Sequence, residues 1–381
     1  MRALRVFLTA AALILSGLSA IALEPVAVQR WIYKTRLEKP AADGFSFALP
    51  AADLPGGTEV DFGISIGIRQ GGPTDWVLEY RSGRKWVKAG SFTVNWYKKG
   101  DDTEWFTNFV LKKPVKDSLC VRVRPTSAAD NPDATAFLLS VPQYGAYLAA
   151  WPAGKYDRKK VLCIGNSFTY FGSSFFALAE IARSQGHSLQ LGINTKGGQN
   201  FGQHLNLDRS RMVISEGGYD VVLMQNQSMS GAFYDSDSVK YSYLKEDAVK
   251  IAAFVRKHSP RVRMVLERTW AYPTKNNDWK GYGSAEAMDA ALQSGSSALA
   301  AAMEAELSPI GNAFIEGRKL GLPLYWKDSF HQNWLGAYLK SCVNYLLIFG
   351  EPFKGDVSSF GLDPQQAASC RTIASQVVTA R

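Results

Sequence analysis

Apolar and polar positions alternate along the first third of the chain. Phe45-Ser46-Phe47-Ala48-Leu49, Val60-Asp61-Phe62-Gly63-Ile64-Ser65-Ile66, Trp76-Val77-Leu78-Glu79-Tyr80 and residues 106–111 and 119–123 are short, mostly alternating runs, the period of half-buried strands. Turn residues such as Pro55-Gly56-Gly57, Gly71-Gly72-Pro73, Ser82-Gly83 and Lys99-Gly100-Asp101-Asp102 separate them. No long helical period intervenes, so this region predicts a β-sandwich. Residues 143–158, with Gly145 and Trp151-Pro152-Ala153-Gly154, read as a linker.

Beyond the linker the period changes. Residues 161–164 form a short apolar run of the kind that makes a buried parallel strand, stopping at Gly165-Asn166-Ser167. Further strands are predicted at 189–193, 219–224, 262–266 and 322–325. Helices are predicted at 173–184, 243–257, 286–304, 309–320 and 334–349. Strand and helix taking turns predicts an α/β unit with a parallel sheet and helices on both faces.

With 381 residues, 46% of them hydrophobic, the chain has material for two cores. The start of the chain belongs to neither. Arg2 and Arg5, an apolar stretch over residues 6–18 and Ala20-Ile21-Ala22 have the layout of a secretory signal peptide. The stretch is short for a membrane span, and no cysteine follows it for lipid attachment. The expected division is therefore a leader at 1–22, a β-domain at 23–152 and an α/β domain at 153–381. The expected location is the periplasm or the medium, without a stable membrane anchor. Loss of the leader removes two arginines and no acid, taking the formal charge from +9 to +7. The basic residues are scattered, which argues against a nucleic-acid partner.

Cys120, Cys163, Cys342 and Cys370 lie far apart, without metal-ligand spacing. Cys163 reads as a small buried residue, and Cys342 and Cys370 as a candidate bridge between C-terminal helices. The aromatic residues of the β-domain, Trp31, Trp76, Trp86, Trp96, Tyr97 and Trp105, suit a core or a sugar-stacking platform.

Candidate chemistry lies at the strand ends. Ser167 stands on a strand-to-helix turn, where open α/β sheets place their sites. Thr169 replaces the second glycine of a Gly-x-Ser-x-Gly elbow. Asp328-Ser329-Phe330-His331 supplies a base and a carboxylate, the two groups a weakly nucleophilic hydroxyl needs. His187 and His258 lie near helix ends and have structural explanations, and a structural role is favoured for His204.

Gly165-Asn166-Ser167, Gly197-Gly198 and Asp328-x-x-His331 together resemble the SGNH (GDSL-like) hydrolases over roughly residues 157–381. The resemblance implies a three-layer, flavodoxin-like catalytic domain and a serine esterase needing no metal or organic cofactor. It implies Ser167 as nucleophile, His331 as base and Asp328 as its partner. The oxyanion hole would comprise Ser167, Gly198 (or Gly197) and Asn226 (or Gln227). At the third block the chain reads Gln225-Asn226-Gln227-Ser228 where the family usually has Gly-x-Asn-Asp. Residues 78–86 and 120–125 resemble jelly-roll, galactose-binding-type modules.

Trp270 and Tyr272, after the fourth strand, are an acyl or sugar wall or else packing, and Glu267 and Arg268 suggest an ion pair. The polar segment 274–284 reads as a surface loop or a substrate contact. The expected substrate is an acylated carbohydrate or another small ester, with a short, O-acetyl-type group. An acyltransferase and a non-catalytic glycan-binding protein are the alternatives.

Overall fold

A computed structural model describes residues 23–50, 53–94, 103–140, 142–234, 239–273 and 280–380. The expected leader, Trp96, Tyr97, the turn at 99–102 and residues 274–279 of the polar loop lie outside the described residues.

The alternating segments form strands. The first part of the chain comprises β1 (Ala27–Trp31), β2 (Leu37–Pro40), β3 (Phe45–Pro50), β4 (Glu59–Ile68), β5 (Asp75–Ser82), β6 (Lys85–Thr93), β7 (Thr103–Val110), β8 (Ser118–Pro125), β9 (Thr135–Leu138) and β10 (Ala146–Trp151). One antiparallel sheet runs β1-β10-β4-β9-β2, with β7 also on β4, and a second runs β3-β8-β5-β6. Phe45 and Phe47 of β3, Phe62 and Ile64 of β4 and Trp76 and Leu78 of β5 meet in one apolar cluster between the two sheets.

The second part contains β11 (Asp157–Gly165), α1 (Ser167–Tyr170), α2 (Ser174–Ser184), β12 (His187–Thr195), α3 (Phe201–Leu205), α4 (Asp208–Ser215), β13 (Val221–Met224) and α5 (Ser230–Phe233). It continues through α6 (Ser242–His258), β14 (Arg263–Glu267), α7 (Ala285–Ala302), β15 (Glu306–Ser308), α8 (Ile310–Lys319), α9 (Trp334–Phe349) and α10 (Pro364–Thr379). Its strands are all parallel, in the order β12-β11-β13-β14-β15. Because side chains alternate across a strand, Val161 and Cys163 face α2 and α9 while Leu162 and Ile164 face α6. The chain leaves β11 first to one side and then to the other, so the carboxyl end of β11 is the switch point of the sheet.

All ten residues of β4 are buried. One face packs on the four-stranded sheet, and the other packs on α2 of the parallel-sheet region. A Cβ on Gly63 would lie 2.3 Å from the Phe176 ring, so glycine lets that helix seat on the strand.

Several expectations need correction. Residues 143–158 are not a simple linker, because β10 within them is wholly buried between β1 and β4. The last parallel strand is Glu306–Ser308 rather than 322–325, and it is too short and polar to show an apolar run. Residues 322–325 instead fold back on the segment that follows, with Tyr325 bridged to Gln332 and Asn333 N donating to Leu324 O at 2.9 Å. All four cysteines are free thiols, so Cys342 and Cys370 are not bridged. Burial pushes the Cys163 thiol pKa up, consistent with an inert core residue.

Candidate active site

The nucleophile turn is held from below. Asn166, extended at φ −137°, caps α1 by accepting from Phe168 N at 3.1 Å. Its side-chain amide donates to Gln199 O at 2.9 Å and Asn226 O at 3.1 Å. One asparagine thereby joins the loops after β11, β12 and β13. Gln225 Oε1 accepts from Asn166 N at 3.2 Å and Thr169 Oγ1 at 2.9 Å. As the first residue of its helix, Ser167 has no intrahelical acceptor for its N–H.

Ser167 Oγ lies 2.8 Å from His331 Nε2, and His331 Nδ1 lies 2.8 Å from Asp328 Oδ2. The other carboxylate oxygen accepts from His331 N at 3.0 Å and Phe330 N at 3.1 Å. Ser329, between them, has φ +63°, a left-handed backbone that lets so short a loop turn back on its own carboxylate. The loop is closed by Trp326 N donating to His331 O at 2.7 Å. Phe171 stacks on the imidazole at 4.1 Å and Phe330 lies 4.2 Å from it. Burial among these rings pulls the His331 pKa below its ordinary value, against the opposing pull of Asp328.

At the end of β13, Asn226 Oδ1 accepts from Phe201 N at 3.1 Å and Gln227 N at 2.9 Å, which fixes the orientation of the amide. Its Nδ2 is buried without an acceptor among the described residues. The Gln227 side chain is used locally, accepting from Met229 N at 2.8 Å and donating to Ser228 Oγ at 3.1 Å. Asn226 thus holds a buried unpaired donor, whereas the Gln227 amide is engaged at both its oxygen and its nitrogen. Gly198 adopts φ +73° in the exposed turn after β12, a conformation that disfavours a side chain, whereas Gly197 has no positive φ.

Beneath the turn lies a polar network that the sequence reading missed. Lys340 Nζ donates to Phe168 O at 3.0 Å and to Glu267 Oε2 at 2.7 Å, while Asn344 Nδ2 donates to Glu267 Oε1 at 2.7 Å. Gln332 Nε2 reaches Phe168 O and Phe171 O, both at 3.0 Å. A lysine and an asparagine four residues apart in the otherwise apolar α9 were the available signal. Glu267 and Arg268 do not pair, because consecutive strand residues face opposite ways: Arg268 pairs with Asp289 and Asn312.

Trp270 and Tyr272 are buried, which favours packing, one of the two roles the sequence leaves open, over a substrate wall. The Trp270 ring stacks on Phe314 at 3.9 Å and Phe168 at 4.8 Å, and its N–H donates to Phe330 O at 2.9 Å. Tyr272 packs 5.6 Å from Phe330. Both therefore brace the site from behind. His204 is wholly buried, its Nε2 3.0 Å from Gly165 O, and desolvation lowers its pKa to about 4. His187 stacks on Phe349 at 3.9 Å and His258 packs on Phe254. Among the described residues no cluster of His, Cys, Asp and Glu is suited to a metal ion.

The arrangement is a hydroxyl in contact with an imidazole and a carboxylate behind it, with an oriented, unpaired amide donor at the end of the neighbouring strand β13. Those parts perform nucleophilic acyl transfer. No protein-family model and no curated protein matches the sequence. Similar solved structures include a protein proposed as an SGNH hydrolase from Slackia heliotrinireducens, at 19% identity over 50% of this chain and 98% of that one, with a TM-score of 0.41. The Axe2 acetylxylan esterase of Geobacillus stearothermophilus is 16% identical over 52% of this chain and 97% of its own, with a TM-score of 0.38. A carbohydrate esterase family 2 enzyme with a carbohydrate-binding domain, from Corynascus thermopiles (Myceliophthora fergusii), is 14% identical over 85% and 99%, with a TM-score of 0.37. The chain is thus similar to structures described as SGNH hydrolases and carbohydrate esterases, and the chemistry of its site is read from its own residues.

Proposed function

We propose that the protein is an exported serine esterase that hydrolyses a short-chain, O-acetyl-type ester on a carbohydrate. The observation that carries this reading is the continuous hydrogen-bonded line Ser167–His331–Asp328. Ser167 Oγ attacks the ester carbonyl while His331 Nε2 takes its proton, and Asp328 holds Nδ1–H and offsets the imidazolium charge. The N–H groups of Ser167 and Gly198 and the Asn226 amide receive the oxyanion. As the tetrahedral intermediate collapses and the C–O bond breaks, His331 gives the proton to the departing sugar oxygen, which leaves as the alcohol. Water, deprotonated by the same base, releases the acid and restores Ser167.

The proposed organisation is a leader at 1–22, a jelly-roll-like β-sandwich module at 23–152 and the catalytic unit at 153–381, acting in the periplasm or the medium. No helix among the described residues is long and apolar enough to cross a membrane. The carbohydrate ester is what the resemblance to the SGNH hydrolases implies.

The test is acetate release from p-nitrophenyl acetate and from acetylated xylan or pectin by the native protein, Ser167→Ala and His331→Ala. Loss to background in both variants, with unchanged melting, is the expected result. Equal turnover by all three proteins would overturn the esterase reading.

A further inference from the structure

Basic residues that are scattered in sequence are gathered on one flat surface. The outward positions of the four-stranded sheet carry Arg81 on β5, Trp86 and Lys88 on β6, and Arg122 and Arg124 on β8, with the Glu79 carboxylate among them and Asp75 at the far end of β5, held by Thr93. The register sets Arg81 opposite Trp86, Glu79 between Lys88 and Arg122, and Arg124 opposite Val77. On β3 the outward residues Ser46 and Ala48, opposite Arg122 and Cys120, are small and exposed and leave that flank low. Arg84 and Lys85 extend the charge at the β5–β6 turn, and Arg81 and Lys116, together with Asp117, line an adjoining cavity of 430 Å³.

Glu79 cannot neutralise this face. It accepts from Arg122 Nε at 2.7 Å and from Arg124 Nε and Nη2, each at 3.0 Å. The terminal nitrogens of Arg122 and the ammonium of Lys88 have no acceptor among the described residues. Arg122 also lies 4.2 Å over the Trp86 ring, fixing a half-buried aromatic among the cations.

We propose that this face docks the carboxylated backbone of an anionic polysaccharide, an assignment that rests on the carbohydrate-esterase reading. Cations spaced across paired strands, about 5 Å apart from strand to strand, meet carboxylates along an extended chain, and Trp86 offers a sugar ring an apolar edge. A single tryptophan, rather than a row of aromatics, is poorly suited to stacking successive bases, which favours a glycan over a single-stranded nucleic acid. The surface holds the polymer while the serine site acts on its ester groups.

The experiment is binding of Ser167→Ala protein to polygalacturonate, dextran and single-stranded DNA, measured by calorimetry and affinity electrophoresis, with and without Arg81→Glu plus Lys88→Glu. The surface predicts binding to polygalacturonate that high salt abolishes, no binding to dextran, and affinity about tenfold weaker in the doubly reversed variant. The double variant on the native background is expected to keep its melting temperature and its p-nitrophenyl acetate turnover. Absence of polygalacturonate binding, or equal binding by the reversed variant, would overturn the proposal. Equal or tighter binding of DNA would overturn it in favour of a nucleic-acid surface. Binding that depends on Arg81 and Lys88 in a protein lacking esterase activity would uphold this surface and sink the catalytic reading, so the two fail separately.

Discussion

At the scale of single residues, the most informative atom is Asn226 Nδ2. Two backbone N–H groups hold the amide oxygen, so the buried donor is oriented before any substrate arrives. A buried donor left unpaired costs stability, a cost that an oxyanion would remove in the mechanism proposed above. Asn226→Ala is expected to lower kcat by about 100- to 1,000-fold with little change in KM, measured on p-nitrophenyl acetate. Gln227→Ala should have a much smaller effect, and the reverse ranking would move the donor to Gln227. His331 sets the pH dependence. Because burial lowers its pKa and only its neutral form takes a proton, activity should persist below pH 6.5 and fall as pH drops through that lowered value. The acid limb of kcat/KM reads this directly. A midpoint above the ordinary histidine value would contradict it.

At the scale of elements, the nucleophile turn depends on helix α9, far away in sequence. Lys340 and Glu267 are almost completely buried, with side chains 2% and 3% exposed, and Lys340 also holds the carbonyl of the residue after Ser167. Removing one member of such a pair leaves a buried charge without its counterion. Lys340→Met is expected to destabilise the fold by about 3–5 kcal/mol. Assayed at a temperature where the variant is folded, it should lose kcat more than KM, because Phe168 O loses a donor. An unchanged kcat at full folding would confine the pair to stability. Trp270 belongs to the same support. Its N–H holds Phe330 O beside the histidine loop, which explains why so large an aromatic near the site is turned away from solvent.

At the scale of the whole molecule, the six-stranded sheet and α2 share a charged seam within an apolar one. Arg183 donates to Asp61 at 2.8 Å and to Glu59 at 3.2 Å, and its own side chain is 1% exposed. Arg30 and Glu180 make a second pair at 2.5 Å. The β-rich part also touches the site's supports. Glu104 accepts from Thr195 Oγ1 at 2.9 Å just before the Gly197-Gly198 turn, and Tyr144 N donates to Ser173 Oγ at 2.7 Å. The two parts are therefore expected to melt together. Arg183→Met should cost about 3–5 kcal/mol near neutral pH by stranding the buried Asp61, whereas Glu59 keeps Arg158 at 2.6 Å. A stranded Asp61 has a folded pKa above its unfolded one, so the loss should grow as pH rises and shrink on acidification. Thermal melts across pH check this, and a loss independent of pH would assign the effect to packing alone.

The sequence by itself determined the local elements whose period was unambiguous, and the residue types of the chemistry. Alternation disclosed β3, β4, β5, β7 and β8, apolar runs disclosed β11 to β14, and Asp328-x-x-His331 put a base and its carboxylate on one loop, since these are local properties of a chain. It did not disclose β10, which reads as a linker because Gly145 and Pro152 flank it and because burial on both faces erases its alternation. Nor did it disclose β15, three residues long. Tertiary structure alone decided what depends on distant partners. It set the 2.8 Å contact between Ser167 and His331, 164 residues apart, and left Asn226 Nδ2 unpaired while engaging the Gln227 amide locally. It also turned Trp270 inward and gathered scattered cations on one sheet face. Each of these is fixed by which surfaces become buried against each other, and burial is a property of the folded whole.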